Sequence, residues 1–269
     1  MNSIRKAVHW LMECIEMDAK VDIIAINRWL EKQQCVSGNI HDDAAGNRLL
    51  GEILMRGRPS AVGKIGDVEL KALCWHLGIR HFYKYTFAAP SFGELQLTEQ
   101  AGVFPRSEDS YHVFCDIYLT SLRELDLCAL WSNPGEIRIL NRYAPYCPKT
   151  SLRALEPYFF PDAPWSKHLE NRRVLVVHPF ADTISRQYCA RSKLWPLMPN
   201  VLPAFELMVL KAPYGFSECG FSNWAAMVGW LEQRMEALSA NPGFDVALIG
   251  CGAASVPLAV CAKMLGKIG

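Results

Sequence analysis

The sequence is 269 residues long and lacks any run of the ~18 apolar residues that a membrane-spanning helix needs. Its first residues do not read as a secretory leader either: the apolar stretch after Met1-Asn-Ser-Ile-Arg-Lys6 is broken by Glu13, Glu16 and Asp18. An excess of charge of either sign is missing, since 28 basic residues face 27 acidic ones for a net +1. That excludes a basic nucleic-acid-binding tail and an electrostatic membrane anchor, so any anionic ligand must be held by a local site. Ten cysteines are present, but no Cys-x-x-Cys pair. Without that spacing they read as reduced thiols of a cytoplasmic protein, each a small buried hydrophobe, and not as a disulfide frame or zinc site. The seven histidines are dispersed; His76 and His81 stand five apart, outside the helical spacing that brings side chains together.

What is present is a core. At 51% hydrophobic, the chain suits one large α/β domain with a helical extension. Ile4, Val8, Leu11, Met12 and Ile15, then Ile23, Ile26, Trp29 and Leu30, fall at helical spacing. Residues 1–45 are therefore expected to be the helical extension and residues 46–269 the main domain. The mixed charge of the extension's polar face fits packing on that domain better than membrane binding.

The stretch Arg58-Pro-Ser-Ala-Val-Gly-Lys-Ile-Gly-Asp-Val-Glu69 carries the densest chemistry. It reads as a short strand, Ala61-Val62, entering a turn spaced by Gly63 and Gly66, with a helix from Leu70 to Leu77. Lys64 puts a cation inside the turn, and Asp67 and Glu69 leave it two apart. A cation, bare backbone and two carboxylates suit a metal-bound diphosphate, because Mg²⁺ and Mn²⁺ take oxygen ligands and often share them with phosphates. The same two acids also suit a plain helix start.

Further on, Ser121 to Asp126 reads as helical and Leu127 to Trp131 as a buried strand. Tyr158, Phe159, Phe160 and Trp165 make the following proline-rich connection aromatic, fit either to stack a base or sugar or to cap the core. Arg173 to Phe180 reads as a buried parallel strand. His178, Asp182 and Arg186 follow near its carboxyl end: a candidate base or a satisfied histidine, a candidate base or helix cap, and a phosphate-gripping fork or a surface arginine. Asp245 to Ile249 is another strand. Gly250-Cys-Gly252-Ala-Ala-Ser255 is a glycine turn before a last helix, one residue short of the dinucleotide fingerprint because Ser255 replaces the third glycine. No acid stands ~20 residues beyond to hold a ribose. Gly269 falls where the next parallel strand is expected to begin, so the sequence reads as one that continues.

Three blocks together resemble the GT-D-type glycosyltransferase group and its uncharacterised bacterial relatives linked to surface polysaccharides. They are Val62 to Glu69, Val174 to Tyr188 and Asp245 to Ala259, supported by Trp165, Leu202-Pro-Ala-Phe-Glu206 and Lys263 to Lys267. The likeness spans roughly residues 50 to 269. It implies an α/β, Rossmann-like, mostly parallel sheet flanked by helices that binds a nucleotide-sugar. Asp67 and Glu69 would then hold a divalent metal, Mn²⁺ or Mg²⁺. Gly63, Lys64, Gly66, Arg186, Gly250, Gly252 and Ser255 would border the donor, and His178 or Asp182 would serve as base. The acceptor would be a carbohydrate or glycoconjugate, and homo-oligomerisation stays open. Val68 stands where better-known members often have glycine, and relatives run on past the last helix into a strand and a glycine-containing loop. An enzyme binding NAD or S-adenosylmethionine through Gly250 and Gly252, or a non-catalytic nucleotide-sugar-binding module of a larger assembly, are the other expectations.

Overall fold

A computed structural model describes residues 40–83, 86–213 and 220–269; the expected helices of residues 4–34 lie outside them. The chain is α/β. Short strands β1 (Ile40–His41), β2 (Val62–Lys64), β5 (Leu127–Leu130) and β6 (Lys149–Ser151) form one sheet in the order β1-β6-β5-β2, parallel throughout. Strands β7 (Arg173–His178), β8 (Glu206–Lys211) and β9 (Val246–Ile249) form another in the order β8-β7-β9, also parallel. A small antiparallel pair, β3 (His81–Tyr83) with β4 (Thr86–Ala88), stands apart.

The last residues join the two sheets. Ile268 makes parallel bridges to Ser60 on one side and to Val246 on the other. Ser60 N–H donates to Lys267 O at 3.1 Å, Val62 N–H to Gly269 O at 2.8 Å and Ala247 N–H to Ile268 O at 2.7 Å. Residues 267–269 thus lie between the two sheets, in the middle of the molecule. The result is one line of parallel strands with β2 and β9 two places apart.

Alternation along the strands sorts side chains to two faces. Cys128, Leu130, Leu175, Val177 and Ala247 enter the larger core. That core is packed by helices α2 (Asp67–His76), α4 (Glu108–Leu122), α8 (Trp224–Ser239) and α9 (Ser255–Met264), with α3 (Leu97–Ala101) and α5 (Glu136–Tyr143) beside them. Val174, Val246 and Ile268 face the other way, toward Leu54 of α1 (Asp43–Arg56) and Leu169. Helices α6 (Ala181–Tyr188) and α7 (Arg191–Leu194) follow β7.

Local chemistry sets the helix ends. Asp42 caps α1, its carboxylate accepting from Ala45 N–H at 2.7 Å, and Gly57 ends it in the left-handed region at φ 62°. Asn223 caps α8 in the same way through Ala226 N–H. Residues 40–45, grouped by sequence with the extension, contribute β1 and the first turn of α1 and so sit in the sheet layers. Helix α4 stops at Leu122, not at Asp126. The reason is tertiary: Asp126 leaves the helix to accept from Ala61 N–H at 2.8 Å and to meet Lys263 at 3.0 Å.

Candidate nucleotide site

The sheet is parallel, so strand carboxyl ends share one edge, where α/β proteins place their ligands. A cleft of about 500 Å³ opens there between β2 and β9. Gly63, Lys64, Gly66 and Glu69 line one side of it, and Gly250, Gly252 and Ser255 the other. The early and late glycine turns thus border one crevice, each at the amino end of a ten-residue helix.

Glu69 is the chemically distinctive group. It is 7% exposed. Burial pushes its carboxyl above the usual carboxylate range; a hydrogen bond from its own main-chain N–H and the Lys64 cation oppose that, while Asp67 adds to it. The carboxylate folds back over Gly66 so closely that a Cβ there would overlap it. A side chain at 66 would therefore push the Glu69 carboxylate out of this position. Lys64 lies with its ammonium 5.2 Å from the Trp131 ring centre, a cation–π contact that holds it at the cleft. Tyr118 reaches in from α4 to donate its hydroxyl to Lys64 O at 3.0 Å. Burial, and then the neighbouring Glu69, raise that phenol well above its ordinary value.

The second glycine turn has its own local logic. Gly252, at φ 56°, passes so near Ala101 O that a Cβ would come within 2.6 Å of it. Gly250 lies equally close to the His178 ring. Ser255 Oγ accepts from Cys251 N–H at 2.9 Å and so closes the turn. These contacts account for both glycines and for the serine that replaces a third.

The other expected site residues are dispersed. Asp67 does not line the cleft; it pairs with Lys71 at 2.7 Å and sits 3.4 Å from Asn133 Nδ2. It holds the first helical position and Glu69 the third, about 200° apart around α2. The two carboxylates accordingly meet different neighbours: Glu69 lines the cleft, while Asp67 turns to Lys71 and Asn133. Among the described residues no group of three His, Cys, Asp or Glu side chains comes together to hold a metal ion. His178 stands behind Gly250, its Nδ1 accepting from Phe180 N–H at 3.0 Å, which leaves the ring proton on Nε2. Asp182 is exposed and pairs with Lys211 at 2.5 Å, which lowers its carboxyl below the ordinary range. Arg186 is exposed and reaches Thr183 Oγ1 at 3.3 Å.

No family model, curated protein or solved structure matches the chain. Geometry alone therefore carries the site.

Sequence reading missed Tyr118 and Trp131, whereas Trp165, expected either to stack a base or sugar or to cap the core, lines the cleft. Tyr118 stands 54 residues from Lys64, and no local pattern announces such a contact. Trp131 is 40% exposed at the end of β5, an exposure that an apolar run does not foretell. It also lines a neighbouring depression of about 810 Å³, with Asp42, Asp43, Ser132 and Arg153 around it. Trp165 comes from the aromatic connection, and its indole N–H donates to Leu155 O at 3.2 Å. Among the described residues no helix is long and apolar enough to cross a membrane.

Proposed function

We propose that the protein is a glycosyltransferase that takes its sugar from a nucleotide-sugar donor, with the diphosphate lying between the two glycine turns. The observation that supports this most is the meeting of Lys64, Glu69 and the amino ends of α2 and α9 at one cleft. Free N–H groups at helix starts attract anions, and Lys64 adds a full positive charge. As the sugar leaves, negative charge grows on the departing diphosphate, and donors fixed in advance stabilise it without reorganisation.

Glu69 suits the other half of the reaction. A carboxylate with a raised proton affinity is a better base than an exposed one, so it takes the proton from the acceptor hydroxyl. His178, whose Nδ1 lone pair is already engaged, and Asp182, which is tied to Lys211, are less suited to that role. The depression beside Trp131 suits a carbohydrate or glycoconjugate acceptor, since an exposed indole face with flanking carboxylates and a guanidinium matches a sugar's apolar face and hydroxyls. Surface polysaccharide or glycoconjugate synthesis is the process proposed from the resemblance. If a divalent ion accompanies the donor, Glu69 would hold it together with the substrate phosphates in place of acting as base, and the ion would supply charge stabilisation for the leaving diphosphate.

A thermal-shift and calorimetric panel of nucleotide-sugars, each with and without Mn²⁺, tests the reading. Donor-dependent stabilisation that is lost in Lys64→Ala and kept in Asp67→Ala supports it. Response only to NAD or S-adenosylmethionine would replace it with the cofactor-enzyme reading, and binding without turnover would leave a non-catalytic module.

A further inference from the structure

The segment Ala181 to Asn200, which holds α6 and α7, buries little for its composition. Ala181 is its one buried residue. The rest includes Ile184, Tyr188, Leu194, Trp195, Leu197 and Met198. Leu194 is exposed, and Leu197 is 93% exposed, an aliphatic side chain standing almost wholly in water. Tyr188 ties the segment down: its hydroxyl accepts from Phe205 N–H at 2.7 Å and donates to Phe205 O at 2.9 Å.

Single exposed leucines are ordinary, but here the apolar groups adjoin one another. Leu194 and Leu197 flank Trp195 in the chain. Trp195 stacks on Tyr158, with ring centres 5.8 Å apart and planes 3° from parallel, and Tyr158 meets Phe159 at 4.8 Å. Tyr158 and Phe159 are exposed as well. Charge on the segment has one sign. From Thr183 to Phe205 the chain carries Arg186, Arg191 and Lys193 and no Asp or Glu. Asp182, just before them, is paired with Lys211, and Glu156, beside Tyr158, accepts from the tyrosine hydroxyl at 2.8 Å. The whole chain is balanced at +1, so this positive field is local.

An anionic bilayer satisfies both features. Aromatic rings settle at the headgroup level, aliphatic side chains enter the acyl boundary, and cations meet the phosphates. Leu197 presents a protrusion with almost no wall around it. A fluid layer takes such a side chain as it stands, whereas a protein partner would have to supply a pocket shaped to it. Each Arg or Lys held at an anionic surface strengthens binding about fivefold.

We propose that Tyr158, Phe159 and the stretch Arg191 to Met198 form a docking surface for an anionic lipid bilayer. Leu194, Trp195 and Leu197 enter the headgroup boundary, and Arg191 and Lys193 meet the lipid phosphates. The protein lies on the membrane surface. Arg153, whose guanidinium is 4.7 Å from the Phe159 ring centre, also borders the depression beside Trp131, so docking brings that depression next to the bilayer. The inference stands on surface chemistry and does not depend on the glycosyltransferase reading. Joined to that reading, it makes the acceptor a membrane-borne glycoconjugate.

Flotation of the full chain with lipid vesicles tests this. Vesicles of phosphatidylcholine containing about one-third phosphatidylglycerol should bind the protein at least about tenfold more tightly than phosphatidylcholine alone, and less tightly as salt rises. Leu197→Asp should lower that affinity about tenfold or more, and so should Arg191→Ser combined with Lys193→Ser. Met264→Asp, at an exposed apolar position of α9 on the other face of the sheet, should leave it unchanged. Thermal unfolding at the wild-type temperature checks that each variant is folded. Failure to bind anionic vesicles, equal binding to neutral ones, or an equal loss in Met264→Asp would overturn the proposal. Self-association that Leu197→Asp abolishes, with no vesicle binding, would overturn it too and give the surface to a second copy. No nucleotide-sugar enters the assay, so failure of the proposed activity and failure of the docking surface are separable.

Discussion

At the scale of single residues, Lys64, Glu69 and Asp67 are predicted to behave differently although they lie within six positions. Lys64→Ala removes the cation from the cleft. A hydrogen bond to a charged group contributes about 1.5–3 kcal/mol, so donor affinity should fall roughly 10- to 100-fold by calorimetry, with a smaller effect at higher salt. Asp67→Ala removes a carboxylate that faces Lys71 and Asn133. It should leave donor affinity within about threefold and cost no more than about 1 kcal/mol of stability, the worth of a helix-start charge. If Asp67→Ala abolishes Mn²⁺-dependent binding, the two acids act jointly and the site's geometry has been misjudged.

Glu69→Gln separates chemistry from stability. Turnover should fall at least 100-fold while donor affinity changes little, since a general base contributes about that much. Its effect on folding has a definite sign. Burial raises the folded-state proton affinity of Glu69, so the stability linked to its proton is fully present below the unfolded value of about 4.3. It is lost as pH rises through the higher folded value. The Tm of the wild type relative to Glu69→Gln should therefore decline as pH increases from 4 through that window. A difference that stays flat across the window would mean that Glu69 is not perturbed as its burial implies.

At the scale of elements, Gly46 sets the approach of α1 to β6. A Cβ there would overlap the side chains of Thr150 and Ala154. Overpacking of this kind costs about 1–3 kcal/mol, so Gly46→Ala should lower Tm by several degrees even though alanine is the better helix former. Thr150→Ala in the same chain should recover part of that loss; no recovery would place the strain elsewhere.

Elements were also where sequence reading was strongest and weakest. The runs 127–131, 173–180 and 245–249 are legible because buried parallel strands are apolar throughout, and β5, β7 and β9 lie within them. The start of α2 is less legible: Gly66 offers no side-chain cap, so Asp67 and Glu69 read as part of the turn when they are its first helical residues. That one shift is what separates the two carboxylates. Both glycine turns could be read locally, but their sharing of one cleft follows from strand order, which no local pattern encodes. Tyr118 and Trp131 enter the site for the same reason.

At the scale of the whole molecule, one core packs against both sheets, but very few residues carry the main-chain hydrogen bonds between them. Lys267 to Gly269 supply five main-chain hydrogen bonds, to Ser60 N–H and O, Val62 N–H, Asp245 O and Ala247 N–H. Ile268 is buried between the two edges, in a cluster with Leu54, Val174 and Val246. At about 1 kcal/mol for each bond, and about 2 kcal/mol for an aliphatic side chain, the seam contributes roughly 7 kcal/mol. Domains of this kind retain only about 5–15 kcal/mol in total. Helix α9 offers a second tie, because Lys263 meets Asp126 at 3.0 Å and donates to Glu124 O at 2.6 Å. Removing residues 267–269 should therefore lower Tm sharply and turn one cooperative unfolding step into two, one for each sheet. Lys263→Ala in the same shortened chain should separate the two steps further. Calorimetry with intrinsic fluorescence reads both effects. A shortened chain that unfolds in a single step at the original temperature would show that helix packing, not the central seam, unites the fold.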